Sequence, residues 1–78
     1  MIIKPKMLRE YLQGNKLSAE RFADELEVKV TEVEKLLNGE SVGLKTAVLF
    51  IYYFGADKSQ HVIDWDGMGI KNPLAKVL

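Results

Sequence analysis

Apolar residues recur at helical spacing in three groups over the first half of the chain. The groups are Leu8, Tyr11 and Leu12; then Phe22, Ala23 and Leu26; then Val33, Leu36 and Leu37. Each group occupies one face of a helix, because positions three and four apart lie on the same side of an α-helix. The pattern therefore predicts three short amphipathic helices.

Capping residues set the expected ends of these helices. Pro5 can open the first helix, and Gly14-Asn15 can end it in left-handed backbone. Ser18 is a good N-cap for the second helix, which should run to about Leu26. Asn38-Gly39 should close the third helix with a left-handed turn.

The start of the third helix has two interpretations. Thr31-Glu32-Val33-Glu34 is a capping-box pattern that would make Thr31 the N-cap. The spacing from Leu26 and Val28 instead starts the helix at Lys29, although lysine is a poor N-cap. We prefer the earlier start.

A fourth helix is expected from about Leu44 to Tyr53, ended by Gly55, because apolar residues continue at helical spacing. They are Leu44, Ala47, Val48 and Ile51. The segment AVLFIYYF is apolar on every side, which is typical of a helix buried all round. A buried strand is the competing interpretation, but the upstream periodicity favours a helix.

A short fifth helix should follow, with Asp57-Lys58-Ser59-Gln60 as its capping box. Its inward residues would be Val62, Ile63 and Trp65. Beyond it, glycines and Pro73 indicate irregular structure, so we expect one domain over residues 1–66 and a tail over residues 67–78.

Composition narrows the class of protein. The chain has 78 residues, no cysteine and a formal net charge of zero, which excludes a disulfide framework and thiolate chemistry. The first residues, MIIKPK, contain too few apolar residues to form the apolar region of a signal peptide. Because no apolar run approaches the ~20 residues of a membrane span, we expect a cytoplasmic protein with no membrane association.

The connection between the second and third predicted helices is too short for antiparallel packing. The two helices should therefore cross steeply as a helix-turn-helix, whose second helix usually enters the DNA major groove. The charge of this region opposes such a role, since residues 17–44 hold three basic and seven acidic residues. Residues 1–16 are the basic part, with four basic residues and one acidic residue.

A set of residues between Leu8 and about Ile63 matches a known family in order and spacing. They are Leu8-Arg9-Glu10, Leu17-Ser18, Phe22-Ala23, Leu26, Val28, Val33, Leu36, Asn38-Gly39, Leu44, Thr46 and Phe54-Gly55. In these residues the chain resembles the Cro/C1-type, or XRE-type, helix-turn-helix family of phage and bacterial repressors. The resemblance implies a compact all-α, five-helix, lambda-repressor-like domain. It also implies a small transcriptional regulator that binds double-stranded DNA.

The chain departs from the family pattern at several positions. Many members pair a helix-1 arginine with a helix-3 glutamate, where this chain has Leu12 and Leu37. Exchange of both partners for apolar residues implies an apolar bridge between the two helices. Members that bind operators often anchor a phosphate with a polar residue at the position of Ala19. Their loop after helix 3 is often basic, whereas this chain has Glu40-Ser41-Val42-Gly43.

The resemblance assigns the positions nearest the DNA bases to Val30, Thr31, Glu34 and Lys35. Val30 suits a thymine methyl group, and Thr31 can donate or accept a hydrogen bond. Glu34 can accept from a cytosine amino group, and Lys35 can hold a guanine or a phosphate. The alternative for Glu34, and for Glu32 near it, is an exposed surface acid with a lysine nearby.

Candidate phosphate contacts lie outside the third helix. They are Ser18, Ala19, Asn38, Lys45, Lys4 and Lys6. Ser18 and the amides that open the second helix can hold a phosphate without a charged side chain. Lys4, Lys6 and Arg9 could form a basic N-terminal arm along the DNA backbone or in the minor groove, or could be an ordinary solvated terminus. So few contacts predict weak binding by a monomer and a shallow salt dependence.

A protein that binds one half of a palindromic DNA site weakly gains affinity when it binds the whole site as a dimer. The candidate homodimer interface is the surplus aromatic surface of Tyr52, Tyr53 and Trp65. The alternative is that these aromatic residues belong to the core of the domain. For Phe50 and Phe54 a place in the core is favoured.

Catalysis is not expected. His61 and Asp64 are too few ligands for a metal, and with Ser59 they cannot form a hydrolase triad on one short helix. We therefore expect no cofactor, no metal and no small-molecule substrate. The alternative function is a protein-interaction module, antitoxin-like or regulator-binding, that keeps the fold with weak or no DNA binding.

Overall fold

Five helices account for the regular structure of residues 1–71, the part of the chain described in this computed structural model. They are α1 (Pro5–Gly14), α2 (Ala19–Leu26), α3 (Val30–Leu37), α4 (Leu44–Phe54) and α5 (Ala56–Val62). The prediction of an all-α, five-helix domain is confirmed, including the helical interpretation of α4. Within residues 1–71, none of the helices is long and apolar enough to span a membrane.

The observed starts of the helices agree with some of the predicted N-caps and not with others. Ser18 caps α2 as predicted, because its Oγ accepts from the Arg21 amide at 3.1 Å. α3 begins directly after Lys29 without a side-chain cap, so the earlier start is confirmed and Thr31 lies inside the helix. The capping box predicted at Asp57 is wrong, because α5 already begins at Ala56.

Three helices end in the same turn, in which an amide donates to the carbonyl five residues earlier. The bonds are Leu17 to Leu12 at 2.8 Å, Val28 to Ala23 at 3.0 Å and Glu40 to Lys35 at 2.9 Å. This Schellman arrangement needs a left-handed residue after the helix. Lys16, Glu27 and Gly39 take that conformation. The predicted left-handed turn is thus confirmed at Gly39. α1 ends at Gly14 as predicted, but Lys16, and not Gly14-Asn15, takes the left-handed conformation.

The core lies where the first four helices meet the two ends of the described chain. Its buried apolar residues are Ile3, Leu8, Leu12, Phe22, Ala23, Leu26, Val33, Leu36, Val42, Phe50 and Ile63. Leu37 packs against this core, in agreement with an apolar contact region between α1 and α3. An aromatic cluster continues it, with ring centroids 4.8 Å apart for both Tyr11–Phe54 and Phe50–Phe54.

The prediction that α4 is buried on every side is wrong. Its buried residues are Thr46 and Phe50, whereas Leu44, Val48 and Tyr52 are 81%, 54% and 87% exposed. A domain of this size is too small to surround α4. Its other helices cover one side of α4, where α2 and α5 contact it. The other side faces solvent.

The inward residues of α5 also differ from expectation. Within the helix Ser59 and Gln60 are buried. Of the three residues predicted to point inward, Ile63 is buried, while Val62 and Trp65 are half-buried.

Residues 1–4 are an extended segment of the domain, so they form neither a free basic arm nor an ordinary solvated terminus. Lys6 and Arg9 lie in α1. Ile3 is fully buried and forms an antiparallel bridge with Ile63. The Lys4 amide donates to the Val62 carbonyl at 2.7 Å, and the Asp64 amide donates to the Ile2 carbonyl at 2.9 Å. Burial of Ile3 fixes the backbone here, although the side chain of Lys4 stays exposed.

The chain after α5 turns back over residues 64–71. Met68 packs against the core, two positions beyond the expected domain end at residue 66. The rest of the predicted tail, residues 72–78, lies outside the described residues.

Candidate nucleic-acid interface

The turn between α2 and α3 positions the candidate interface. Glu27 adopts left-handed backbone (φ 61°, ψ 41°) and ends α2, and the chain resumes a helix at Val30. Val28 packs against the core, which anchors the turn. α3 consequently rests on Val33 and Leu36, both fully buried, and presents its opposite side to solvent.

Three of the four predicted base contacts share that exposed side. Thr31, Glu34 and Lys35 are exposed, and their spacing puts them on neighbouring turns of one helix face. Val30 is half-buried and packs against the core, so it offers only part of its side chain.

Glu32 makes a hydrogen bond to α4 that sequence reasoning missed, although a lysine beside it was expected. Its Oε1 accepts from the Thr46 hydroxyl of α4 at 2.9 Å, and its Oε2 lies 3.3 Å from the Lys35 ammonium. The Thr46 hydrogen bond, followed by Lys35, lowers the pKa of the Glu32 carboxyl below its usual range. Glu32 therefore stays ionised, joins α3 to α4 and holds the Lys35 side chain along the surface of α3. The i, i+3 spacing of Glu32 and Lys35 indicated the ion pair, but no spacing signal indicated the contact with Thr46, fourteen positions away.

A recess of about 570 Å³ connects the exposed start of α3 with the start of α4. Thr31 lines it from α3, Lys29 from the turn before α3, and Lys45 from α4. α4 begins at Leu44, and the residue before it, Gly43, supplies no side-chain cap. The first amides of a helix without such a cap can bind an anion. One predicted base contact and one predicted phosphate contact thus lie at a single opening, together with the acidic side chains of Glu27 and Glu32.

The remaining predicted phosphate contacts are dispersed. Ser18 already accepts from the Arg21 amide, Ala19 is half-buried, and Asn38 is exposed after α3. Lys6 is exposed in the first turn of α1.

The basic residues of the N-terminal part do not gather at the start of α3. Lys4 lines a different recess, with Asp64 and Asp66 beyond α5. Arg9 donates from Nη2 to the Leu37 carbonyl at 2.8 Å, so its charge lies at the end of α3. Lys29 and Lys45 line the recess at the start of α3, whereas Lys35 lies in the last turn of that helix.

The three aromatic residues predicted at a dimer interface have different surroundings. Tyr52 is 87% exposed. The Tyr53 hydroxyl donates to Glu25 Oε2 at 3.1 Å and accepts from the Tyr11 hydroxyl at 2.9 Å. The Tyr11 hydrogen bond, partial burial and the Glu25 carboxylate raise the pKa of Tyr53 above its usual range.

Trp65 lies apart from these tyrosines. Its indole N–H donates to the Gln60 carbonyl at 2.9 Å, and its ring packs against the core. It lines the recess beside Lys4, whereas Tyr52 and Tyr53 line one beside Glu25 and Glu27.

Within residues 1–71, no group of three or more His, Cys, Asp or Glu side chains is arranged to hold a metal ion.

Comparison with known proteins found no family model, no curated protein and no solved structure that matches this chain. The functional proposal therefore depends on the residues of the chain itself.

Proposed function

We propose that this protein is a small, cytoplasmic, helix-turn-helix transcriptional regulator that binds double-stranded DNA through α3. The observation that carries the proposal is the exposed face of Thr31, Glu34 and Lys35 beside the recess that leads to Lys45. A short helix with one face on the core and a polar opposite face is the element that a major groove admits.

Base contacts are assigned to the exposed face of α3. Thr31 and Glu34 read base edges, with Glu34 as acceptor for a cytosine amino group. Lys35 reaches a guanine or a phosphate after it leaves Glu32, because a surface ion pair contributes little stability and a strong acceptor can displace it. The Thr46 hydroxyl keeps Glu32 directed toward α4, which moderates repulsion between this carboxylate and the DNA.

Phosphate contacts are assigned to Lys45 and to the amides that open α4. The small number of cations at this surface predicts weak binding by one copy and a shallow dependence on salt. We therefore propose that a homodimer binds a short palindrome, with half-sites about one helical turn (~34 Å) apart.

Selection from a randomised pool of duplex DNA at ~50 mM salt, followed by a salt series on the selected sequence, tests this proposal. We expect enrichment of a short palindrome and loss of binding in Lys35→Glu. Lys58→Glu is the matched control, since it makes the same charge reversal on an exposed residue of α5. Lys45→Ala should weaken binding to all sequences and reduce the salt slope by about one. A folded protein that enriches no sequence would refute the proposal.

A second candidate function is supported by the acidic surroundings of α2 and by the exposed apolar side of α4. A protein-interaction module would use these surfaces to bind a protein partner, such as a larger regulator or a toxin. Its signature would be tight binding of such a partner with no selected DNA sequence.

A further inference from the structure

An ion pair lies along α3, beside the face assigned to DNA. Glu32 Oε2 is 3.3 Å from Lys35 Nζ, and the side chains of Lys35 and Glu32 are 48% and 25% exposed. No other direct ion pair occurs among residues 1–71, although the whole chain carries 11 basic and 11 acidic residues. The lysine assigned to DNA at this face therefore already has an anion beside it.

The carboxylate of this pair has a second partner on another helix. The Thr46 hydroxyl of α4 donates to Glu32 Oε1 at 2.9 Å, and Thr46 is 4% exposed. Threonine is stiff at χ1, and burial restricts it further, so this hydroxyl is a well-fixed donor. Thr46 therefore holds one oxygen of Glu32 against α4 and leaves the other oxygen for Lys35.

We propose that Glu32 competes with DNA for Lys35, and that Thr46 sets the cost of releasing this lysine. The inference rests on the proposed function, to which it adds an intramolecular contact that limits the affinity of α3 for DNA. Lys35 has to leave Glu32 before it can contact a phosphate or a base. When Lys35 leaves, Glu32 keeps its hydrogen bond to Thr46 and stays directed toward α4.

The competition has a consequence for the salt dependence of binding. Glu32 and Lys35 together have no net charge, so the pair as a unit neutralises little of the DNA charge. Each phosphate neutralised by an unpaired cation contributes ~0.9 to the slope of log K against log[salt]. Lys35 should therefore contribute little to the slope in the wild type. Glu32→Gln removes the competing charge and should restore the contribution of Lys35.

The competition also gives two substitutions opposite effects on affinity. Glu32→Gln should bind DNA about two- to five-fold more tightly, which is the strength of an exposed ion pair. Thr46→Val should bind more weakly, because a carboxylate released by Lys35 then loses its remaining partner and can turn toward the DNA. Thr46→Ser, which keeps the hydroxyl, should bind like the wild type. A purely structural link between α3 and α4 would make neither Glu32→Gln nor Thr46→Val bind more tightly.

Fluorescence anisotropy with a labelled duplex of the selected sequence, from ~50 to ~200 mM salt, tests the competition. Lys35→Ala should change the salt slope little in the wild-type chain and by ~0.9 in the Glu32→Gln chain. General repulsion between Glu32 and DNA would not depend on Lys35 in this way. An equal effect of Lys35→Ala in both chains, or weaker binding by Glu32→Gln, would overturn the inference.

Glu27→Gln is the matched control for the loss of a charge near the interface. Glu27 lines the same recess as Glu32, and it makes no ion pair with Lys35. Lys35→Ala should therefore change the salt slope as little in the Glu27→Gln chain as in the wild type. A slope change of ~0.9 in the Glu27→Gln chain would contradict a specific role for Glu32.

Carboxyl-carbon NMR titration of the full chain without DNA tests the contact itself. The hydrogen bond from Thr46 and then that from Lys35 lower the pKa of Glu32 from its ordinary value of 4.5. Thr46→Val and Lys35→Ala should each raise this pKa, with the larger rise in Thr46→Val. Lys58→Ala on α5 is the control and should leave it unchanged. A pKa that neither substitution raises would show that the contact is absent.

The two proposals fail in different measurements. A folded protein that binds no duplex in any variant contradicts the proposed function, and this inference with it. A protein that binds DNA with the same Lys35 effect in the presence and absence of Glu32 contradicts this inference alone.

Discussion

Gly39 forms the turn after α3, where both its backbone conformation and its closeness to Pro5 disfavour a side chain. Replacement of Gly39 by alanine measures the free-energy cost of adding one. Its φ of +72° lies in the left-handed region, and a Cβ built on it would lie 3.3 Å from Pro5 Cγ. Left-handed backbone costs a residue with a Cβ ~1–2 kcal/mol. Alanine recovers ~0.4–1 kcal/mol by restricting the unfolded chain. We expect Gly39→Ala to lower the free energy of unfolding by ~1 kcal/mol, with Pro5 shifting by a few tenths of an ångström.

Gly14→Ala is the matched control, because the chemical change is the same and the surroundings differ. Gly14 lies within α1, and a Cβ there would meet no atom within 4 Å. This variant should raise the free energy of unfolding by ~0.5–1 kcal/mol.

Urea denaturation followed by circular dichroism separates the two alanine variants. Their midpoints should move in opposite directions with an unchanged m-value, and each kcal/mol should shift the melting temperature by ~4–8 °C. Gly39→Asn should fall between Gly39→Ala and the wild type, since asparagine tolerates left-handed backbone. If Gly39→Ala is as stable as the wild type, the left-handed turn does not constrain this position.

Three other substitutions test single interactions. Ser59→Ala should raise the free energy of unfolding by ~1 kcal/mol in urea melts, because the buried Ser59 Oγ has no hydrogen-bond partner among the described residues; a loss would reveal a hidden partner. Glu27→Gly should raise the melting temperature by ~4–8 °C, because glycine adopts the left-handed turn after α2 without strain; an unchanged value would contradict this. The stability from Glu32 is present above its usual pKa of 4.5 and is lost as the pH falls through its lowered pKa. Thr46→Val should therefore flatten the acid side of the stability–pH curve, whereas Thr46→Ser, which keeps the hydroxyl, should preserve it.

The helices could be predicted because their signals are local. Apolar spacing defined one face each for α1, α2 and α3. The family resemblance supplied the four residues expected at the DNA, of which Thr31, Glu34 and Lys35 are exposed and Val30 is half-buried. Ser18 and Gly39 supplied end signals that depend on a few neighbouring residues. These features need no knowledge of distant contacts.

The rest depends on contacts that sequence spacing does not contain. Glu32 faces α4 because Thr46, fourteen positions later, donates to it. Glu27 takes a left-handed position that favours glycine, because its turn is held by the packing of Val28. Burial of Ile3 requires the far end of the domain, and an apolar composition alone could not tell which side of α4 the domain would cover.

The bridge between Ile3 and Ile63 joins the N-terminal segment to the residue that follows α5. Most other packing, such as α2 with α3 and α4 with α5, joins elements that are adjacent in sequence. Closing a long loop costs more conformational entropy than joining neighbours, so the helices can associate before the ends meet. The ends can also separate without melting the helices, as a local opening with its own free energy. Exchange of the Lys4 and Asp64 amides with solvent deuterium would report that opening, and exchange of the amides within α2 would report unfolding of the whole domain.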